Sequence, residues 1–397
     1  MPEFSFHSAQ DQSIDNGEAG DRKLLSIDTH HAKSMFSQVC ASLRVTSAAD
    51  LCGPVGDVSW RAKYRGMANS GAAGLPGPFR QCLSEISECL RITSQTSFFR
   101  PSPNSVNQTG LNRNKLILNL AMNHSIDDCF RFGQLLGVAA RSKNCLDLDL
   151  SDIFWRLLLG YQLSLDDLVS FDYTSWAFFR FRDPTDQHLY DESEFYQLYP
   201  DLCWVITLTD TKTQQELRPQ GKTLPVAFAD RHKFGRLAAA ARFNECVLQL
   251  NAIRQGLQTL LPPKSLPLLT WQELELRVCG EPDFNIEWLK KRSLYAPKKF
   301  TDDSPVIKNF WSTLAAFSAE NRRQFLQFAW ARSRLPPESD PNATWRMRIN
   351  INESASQNDL PSAETCFFNV NIPHYQTLEQ MSQKLLMSIT HCSSITS

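Results

Sequence analysis

The sequence predicts an α+β protein with two lobes, the first mainly helical and the second a smaller α/β lobe. Three patterns support this prediction. Apolar residues recur at helical spacing over most of residues 58–295. Two stretches near the C-terminus alternate apolar and polar residues, as strands do. A short polar segment with a proline, residues 296–301, lies between the two regions and is typical of an inter-domain linker.

The composition is that of an ordinary globular chain. Apolar residues make up 42% and charged residues 21% of the 397 residues, unlike a disordered chain. Lys plus Arg number 41 against 42 Asp plus Glu, so the net charge is −1. No excess cation is available to displace phosphate counterions, which argues against nucleic acid as the main partner. No uncharged apolar run approaches the roughly 18 residues of a membrane-spanning helix, so no membrane span is expected.

The cysteines indicate a reducing compartment and no metal. There are eleven, an odd number, and none forms a CxxC pair. Structural zinc sites of the common kinds need two short pairs of ligands, so neither a metal nor another cofactor is expected. The start of the chain also lacks the basic-then-apolar pattern of a secretory signal. We therefore expect reduced thiols in a cytoplasmic protein, and nothing in the sequence opposes access to the nucleus.

The N-terminal part of the chain begins with weak structural signals. Residues 1–57 are rich in Ser, Asp, Ala, His and Gly, and we interpret them as a poorly structured leader or linker with at most one short helix. Residues 58–64 alternate like a strand. A helix that opens at Pro78 would then bury a stripe at helical spacing. This stripe consists of Phe79, Cys82, Leu83, Ile86 and Leu90.

The middle of the chain is predicted to be helical. An apolar helix covers residues 129–139, and Ser151 and Ser164 are placed as N-caps of two further helices. Residues 230–261 read as one long helix that ends at a pair of prolines. A capping box then opens a helix over residues 270–279, which Gly280 terminates.

The second lobe has its own start signal. Ser304 followed by Pro305 is an N-cap with a first-turn proline. A second helix carries residues 325–328. Strands are predicted where residues 345–351 and 368–372 alternate, and Thr377 caps a final helix.

Cys366 stands out among the cysteines because it ends a polar loop immediately before an alternating strand. A thiol in such a place is accessible and is held by a rigid element, as a reactive cysteine needs. The residues alone leave two interpretations open, a reactive thiol or an ordinary, partly buried strand residue.

The segment around Cys366 resembles the catalytic loop of HECT-type ubiquitin ligases. In that family a Leu-Pro pair, here Leu360-Pro361, precedes a Thr-Cys-Phe run, here Thr365-Cys366-Phe367. A strand that ends in Leu-Pro-x-Tyr follows and is similar to Ile372-Pro373-His374-Tyr375. The Lys384-Leu385-Leu386 run resembles the core of the family's closing helix.

Upstream segments resemble the same family in the same order. The run FGQLLGVA at residues 132–139 is similar to a family helix with two spaced glycines. The run ELELRVCG at residues 273–280 resembles its Glu-Leu-Cys-Gly helix. Residues 304–311, 323–328 and 333–336 resemble the segments that precede the catalytic loop. The resemblance therefore covers residues 58–390.

This resemblance implies a bilobal HECT fold. It assigns residues 58–295 to an N-lobe, with a small subdomain that binds a conjugating enzyme at residues 183–257. It assigns residues 296–301 to a flexible hinge and residues 302–397 to a C-lobe. It also implies a ubiquitin-protein transferase that takes ubiquitin from a conjugating enzyme as a thioester on Cys366. The ubiquitin would then pass to lysines of protein substrates.

Two further site residues follow from the resemblance. Glu364 stands where many members have histidine, and it is expected either to orient the acceptor amine or to be a solvated loop acid. Phe234 falls near a family aromatic that contacts the conjugating enzyme, and it is expected either to be a docking anchor or a buried core residue. The tail at residues 392–397 lacks the aromatic residue that many members carry there.

Two rival functions remain at the level of sequence. A cysteine hydrolase acting on ubiquitin conjugates would need a histidine base near Cys366, and His374 and His391 are the nearby candidates. A catalytically silent scaffold with this fold would form no ubiquitin adduct at all.

Overall fold

A computed structural model gives the fold. It describes residues 24–27, 34–52, 59–64, 76–91, 98–120, 125–173, 191–209, 213–281, 285–332, 334–337, 345–365 and 367–391. The chain divides into two compact units. The first unit comprises Met1–Cys89, Leu136–Asp147 and Glu273–Ser397, and the second comprises Leu90–Leu135 and Leu148–Gln272. Within the described residues, no helix combines the length and the apolar character that crossing a membrane requires.

Within residues 1–57, the described residues 24–27 and 34–52 hold more regular structure than the one short helix predicted there. In order the N-terminal elements are β1 (Leu24–Ile27), α1 (Met35–Arg44), α2 (Ala48–Leu51), β2 (Arg61–Tyr64) and α3 (Pro76–Arg91). Strands β1 and β2 pair in parallel, and Ser34 caps α1 by accepting a hydrogen bond from the Ser37 N–H. Helix α1 buries Phe36, Val39, Cys40 and Leu43, a stripe at helical spacing that its many polar neighbours conceal in the sequence. The stripe predicted for α3 is confirmed, since all five of its residues are buried.

Residues 98–173 contain short strands and helices. They are β3 (Phe99–Pro101), α4 (Pro103–Asn107), β4 (Leu116–Leu118), α5 (Ile126–Ser142), α6 (Asp152–Leu159) and α7 (Leu165–Val169). Strands β3 and β4 pair antiparallel. Helices α6 and α7 begin directly after Ser151 and Ser164, as predicted. The elements of residues 191–258 are α8 (Glu192–Leu198), β5 (Val205–Thr207), β6 (Gln214–Glu216), α9 (Arg231–Asn244) and α10 (Val247–Gln258).

The single helix predicted for residues 230–261 is two helices, α9 and α10. The break falls at Glu245 and Cys246, and Cys246 has a non-helical φ of −115°. The Glu245 carboxylate accepts hydrogen bonds from the Thr209 N–H at 3.1 Å and from the Thr209 hydroxyl, and it pairs with Arg242. Burial raises the pKa of Glu245, while Arg242 lowers it. The helix therefore stops where a buried carboxylate satisfies groups on another segment, a tertiary effect that periodicity does not reveal.

Helices α5 and α10 approach each other closely within the second unit. A Cβ atom on Gly133 would lie 1.9 Å from the carbonyl oxygen of Ile253, and one on Gly256 would lie 1.9 Å from that of Phe130. Any larger side chain at either position would therefore collide with backbone. The first glycine of the FGQLLGVA run is present because the facing backbone leaves no room for a side chain.

The C-terminal elements surround a four-stranded sheet. They are α11 (Trp271–Cys279), α12 (Ile286–Lys291), β7 (Ser293–Ala296), α13 (Pro305–Ala316), α14 (Ala319–Trp330), β8 (Met347–Asn352), β9 (Ser362–Glu364), β10 (Asn369–Pro373) and α15 (Leu378–His391). The strand order is β7-β8-β10-β9, with β10 parallel to β8 and antiparallel to β9. The Ser304 N-cap, the strands at β8 and β10 and the capped final helix were all predicted.

The predicted hinge at residues 296–301 is in the wrong place. Strand β7, directly before it, pairs in parallel with β8. Trp288 and Leu289 of α12 share one core cluster with Phe310 of α13, which lies after the predicted hinge. Residues on both sides of the segment thus belong to the same core, so the predicted boundary between lobes at residues 295 and 302 does not match the units of the structure.

Contacts of the segment itself explain the error. The Tyr295 hydroxyl donates to the Asp302 carboxylate at 2.5 Å, and the Trp311 indole N–H donates to the Tyr295 oxygen at 3.0 Å. Phe300 packs against the same core. A proline and two lysines are typical of linkers, but they equally suit a surface turn between two packed elements.

A buried ion pair within the first unit generates a test of this fold. The Arg334 Nε atom lies 2.6 Å from the Asp147 carboxylate, and the side chains are only 2% and 3% exposed. The Asp147 backbone N–H also donates to the Ser87 hydroxyl at 3.0 Å. The pair therefore joins the segment after α14 to the segment after α5, and removing one partner leaves the other charge buried.

We expect Arg334→Met to lower the free energy of unfolding by about 3–5 kcal/mol, because Asp147 then loses its buried cation. Urea unfolding followed by circular dichroism measures the change. The double variant Arg334→Met/Asp147→Leu is the control and should recover much of the loss, because no charge remains buried. A single variant as stable as the wild type would contradict the importance of this pair.

Candidate active site

The loop that carries Cys366 joins two antiparallel strands. Strand β9 ends at Glu364, β10 begins at Asn369, and these two residues are directly paired. The Phe367 N–H donates to the Glu364 carbonyl at 3.0 Å, which closes a turn across the loop. Cys366 itself lies outside the described residues. In the sequence, the predicted nucleophile therefore lies between two strands that pair directly with each other.

Strand β10 lies in the interior of the sheet and fixes where this loop ends. Val370 and Ile372 are fully buried on one face. Asn371 belongs to the other face, where its side-chain oxygen accepts a hydrogen bond from Asn350 of β8 at 2.9 Å. The Asn-Val-Asn-Ile alternation therefore sets which residues face the core, and with them the position of the loop.

The two phenylalanines after Cys366 face opposite environments. Phe367 is 64% exposed, whereas Phe368 is 1% exposed. The Phe368 ring stacks on Trp330, with 4.4 Å between ring centroids and an angle of 3° between planes. Its backbone is left-handed, with φ 55°, and its carbonyl accepts from the Arg348 N–H at 2.9 Å. The sequence did not point to Trp330, since no spacing relates this residue to the loop.

The segment before β9 is held by the final helix. The Lys384 ammonium donates to the Asn358 carbonyl at 2.6 Å, and the Ser388 hydroxyl donates to the Pro361 carbonyl at 3.3 Å. The Tyr375 hydroxyl donates to the Asp359 carbonyl at 2.6 Å. Burial raises the pKa of Tyr375 to about 12, so the hydroxyl keeps its proton throughout the neutral range. Helix α15 and the short segment between β10 and α15 thus position the chain that leads into the loop.

Glu364 lies at the surface, two positions before Cys366. Its carboxylate accepts a hydrogen bond from the Asn369 side-chain amide at 2.9 Å. The charge is therefore accessible to another molecule, and its direction is set by the neighbouring strand. An acceptor-orienting role for Glu364 remains a prediction.

The structure describes the side chain of only one of the two histidines that a hydrolase could use as a base, namely His374. His374 follows the far end of β10, and five extended residues put its backbone roughly 16 Å from Asn369 at the start of the strand. Its ring lies 5.8 Å from that of Phe300. This position does not suit a base for Cys366. His391 ends α15, and its side chain lies outside the described residues.

Several other cysteines are poorly suited to nucleophilic chemistry. Burial raises the pKa of Cys129 and Cys145 to about 11 and that of Cys246 to about 12. Burial raises the pKa of Cys82 and Cys279 further still. Since the thiolate is the reactive form, these five thiols remain protonated and inert at neutral pH.

The structure places Phe234 in the core and not on a docking surface. The side chain is 1% exposed on α9, and its ring meets the Trp204 ring edge to face, with centroids 6.0 Å apart. The core-residue alternative therefore holds, and the proposed docking anchor is corrected because its ring is not accessible to a partner. The core around it also includes Ile153, Leu168 and Phe171, so it is not confined to the predicted subdomain at residues 183–257.

Comparison with known proteins assigns the family. Residues 82–396 match the family model described as HECT-domain (ubiquitin-transferase). The chain belongs to the HECT-domain family. Its α+β architecture agrees with this assignment, and the matched region includes the β9–β10 loop of this HECT domain.

The curated relatives of this chain include proteins named as E3 ubiquitin-protein ligases. The chain is 29% identical over 372 residues to the E3 ubiquitin-protein ligase HERC2 of Mus musculus and of Homo sapiens. Each alignment covers 91% of this chain. The chain is 27% identical over 358 residues to the E3 ubiquitin-protein ligase UPL2 of Arabidopsis thaliana, which covers 87% of this chain. The HECT domain described here spans 7% of the HERC2 proteins and 9% of UPL2.

The position of Phe234 generates a prediction. We expect Phe234→Ala to lower the free energy of unfolding by about 3–5 kcal/mol, because a buried ring is replaced by a cavity. Thermal unfolding measures the effect. Phe234→Leu keeps most of the buried volume and is the matched variant, for which a much smaller loss is expected. A Phe234→Ala protein that melts like the wild type but binds a conjugating enzyme less well would restore the docking interpretation.

Proposed function

We propose that this HECT domain is a ubiquitin-protein transferase that holds ubiquitin as a thioester on Cys366. The family match over residues 82–396 carries the proposal. The position of Cys366 in the loop between β9 and β10 supports it. The partners are ubiquitin, a ubiquitin-conjugating enzyme and protein substrates.

The first half-reaction is a thiol–thioester exchange. The Cys366 thiolate attacks the carbonyl carbon of ubiquitin's C-terminal thioester on the conjugating enzyme and forms a tetrahedral intermediate. The new carbon–sulfur bond to Cys366 forms as the bond to the conjugating enzyme's cysteine breaks, and that cysteine leaves as a thiolate. The exchange is nearly balanced in energy, so it needs thiolate and proximity but no strong base.

The second half-reaction transfers ubiquitin to an amine. A substrate lysine amine attacks the thioester carbonyl carbon, an amide bond forms as the carbon–sulfur bond breaks, and Cys366 leaves as a thiolate. The amine must also lose a proton, which a nearby carboxylate can accept. Glu364 is the proposed group, since its carboxylate is exposed and is directed by Asn369 at 2.9 Å. A negative charge beside Cys366 would oppose thiolate formation, so Glu364 serves the second step and not the first.

The proposed setting of the reaction is the cytoplasm, with access to the nucleus. The sequence feature that favours a reducing compartment is its odd number of scattered cysteines, none of them in a CxxC pair. The hydrolase alternative receives no support from His374, which lies at the other end of β10 from the loop.

Cys366 is tested by loading with activating enzyme, conjugating enzyme and ubiquitin, followed by non-reducing gel electrophoresis. We expect an adduct heavier by one ubiquitin that disappears on reduction and is absent in Cys366→Ala. Cys366→Ser should give an adduct that survives reduction, because an oxyester has a poorer leaving group than a thioester.

Cys52→Ala is the matched control, since Cys52 is an exposed thiol elsewhere in the same unit, and it should load like the wild type. An adduct that persists in Cys366→Ala would assign the nucleophile to another cysteine. Free ubiquitin released by the wild type, with none transferred to lysine, would favour the hydrolase. The absence of any adduct in the wild type would favour the silent scaffold.

Glu364 is tested by Glu364→Gln, which removes the charge while its amide oxygen still accepts from Asn369. We expect loading of Cys366 to be nearly unchanged and discharge to free lysine to slow by at least about tenfold, because the proton acceptor is lost. Single-turnover assays of the isolated thioester measure the discharge step.

Glu379→Gln is the control for this experiment. Glu379 is an exposed carboxylate in the first turn of α15, and its neutralisation should leave both steps as they are. If Glu364→Gln discharges as fast as the wild type, Glu364 is only a solvated loop acid.

A further inference from the structure

Phe368 has a backbone conformation that its side chain disfavours. Its φ of 55° lies in the left-handed region, which bulky residues rarely adopt because Cβ crowds the backbone. Asparagine and glycine adopt this region readily. An aromatic residue therefore stays in this conformation only if its surroundings hold it there.

Trp330 supplies much of that support. Its ring stacks in parallel on the Phe368 ring at 4.4 Å, and the two side chains are 3% and 1% exposed. Trp330 is the last residue of α14 and is itself fixed within an aromatic group, with Trp345 5.2 Å away. The guanidinium of Arg332 lies 4.2 Å from the centre of the Trp330 ring.

The conformation of Phe368 matters because of its place in the loop. Phe368 is the last residue before β10, and the turn closed by Phe367 and Glu364 precedes it. Its carbonyl oxygen is fixed by the Arg348 N–H at 2.9 Å. With the carbonyl end fixed, the φ and ψ angles of Phe368 together set the direction in which the chain leads back to Phe367.

We propose that Trp330 is a positioning residue for ubiquitin transfer. By stacking on Phe368 it holds the left-handed conformation that directs the loop carrying Cys366. The proposal rests on the proposed function, since it assumes that Cys366 accepts ubiquitin. Trp330 acts through Phe368 and touches neither ubiquitin nor the reacting atoms.

The first test separates backbone conformation from ring packing. Phe368→Ala and Phe368→Asn both remove the ring, but only asparagine adopts the left-handed region readily. We expect Phe368→Ala to load ubiquitin about tenfold more slowly than Phe368→Asn, because a loop misplaced by about 1 Å loses much of its rate. Equal loading rates in the two variants would overturn the proposal, independently of the loading rates measured for the Trp330 variants.

The second test is a double-mutant cycle. Trp330→Leu should lower the maximal rate of loading by about tenfold in the wild-type background but by less than about threefold in the Phe368→Asn background, where no ring needs support. The concentration of loaded conjugating enzyme that gives half the maximal rate should not change, since Trp330 does not contact it. Trp330→Phe keeps an aromatic ring for stacking and should restore most of the rate.

Trp288→Leu is the matched control. Trp288 belongs to the same core and meets Trp345 at 5.1 Å, so its loss costs similar packing without removing the ring that stacks on Phe368. Thermal unfolding should show comparable destabilisation in Trp288→Leu and Trp330→Leu, with slow loading only in the latter. Equal slowing in both, or an equal effect of Trp330→Leu in the two backgrounds, would mean that Trp330 contributes only to the core.

Failure of this proposal is distinguishable from failure of the proposed function. A wild-type protein that forms no thioester on Cys366 would remove the function itself. A wild-type protein that loads normally, with Trp330→Leu loading equally fast, would remove only the positioning role of Trp330.

Discussion

The register of β10 is the constraint on which the rest of the site depends. The strand lies between β8 and β9, so both of its edges are paired. Val370 and Ile372 face the core, and a slip of one residue would bury asparagines in their place. That large cost fixes where β10 begins, and hence where the loop from β9 ends. The start of the strand that follows the proposed nucleophile thus depends on the burial of two aliphatic side chains that have no role in the proposed chemistry.

Much of the fold was predictable where one pattern decides the structure. Strand β10 and helix α3 were found because apolar residues recur with the period of the element and are buried on one face. Strand β9 was not found, since Ser362–Glu364 is short and mostly exposed and has no such pattern. The hinge was misplaced for a related reason. The composition of residues 296–301 indicates a surface segment. It cannot reveal the hydrogen bonds of Tyr295 to Asp302 and Trp311, because these bonds form only in the folded protein.

The site was predictable to a different degree for each residue. The residues alone left Cys366 with two interpretations, and the resemblance to a family selected one of them. Phe234 shows the limit of that transfer, because a family position near an aromatic does not say whether the ring points outward or into the core. Trp330 could not be found at all, since its relation to the loop exists only when α14 packs against the start of β10.

The two faces of the loop suit a thiol that must meet two partners in turn. A cysteine that takes an acyl group from one protein and gives it to another has to be open to solvent on the side that both approach. Support for such a loop has to come from the inner side, where it does not obstruct either partner. Two neighbouring residues meet these two requirements separately, since Phe368 is buried on the inner side and Phe367 is exposed on the outer side. The ring of Phe368 packs the backbone against the core, and the ring of Phe367, next to Cys366 in the sequence, is an exposed apolar side chain.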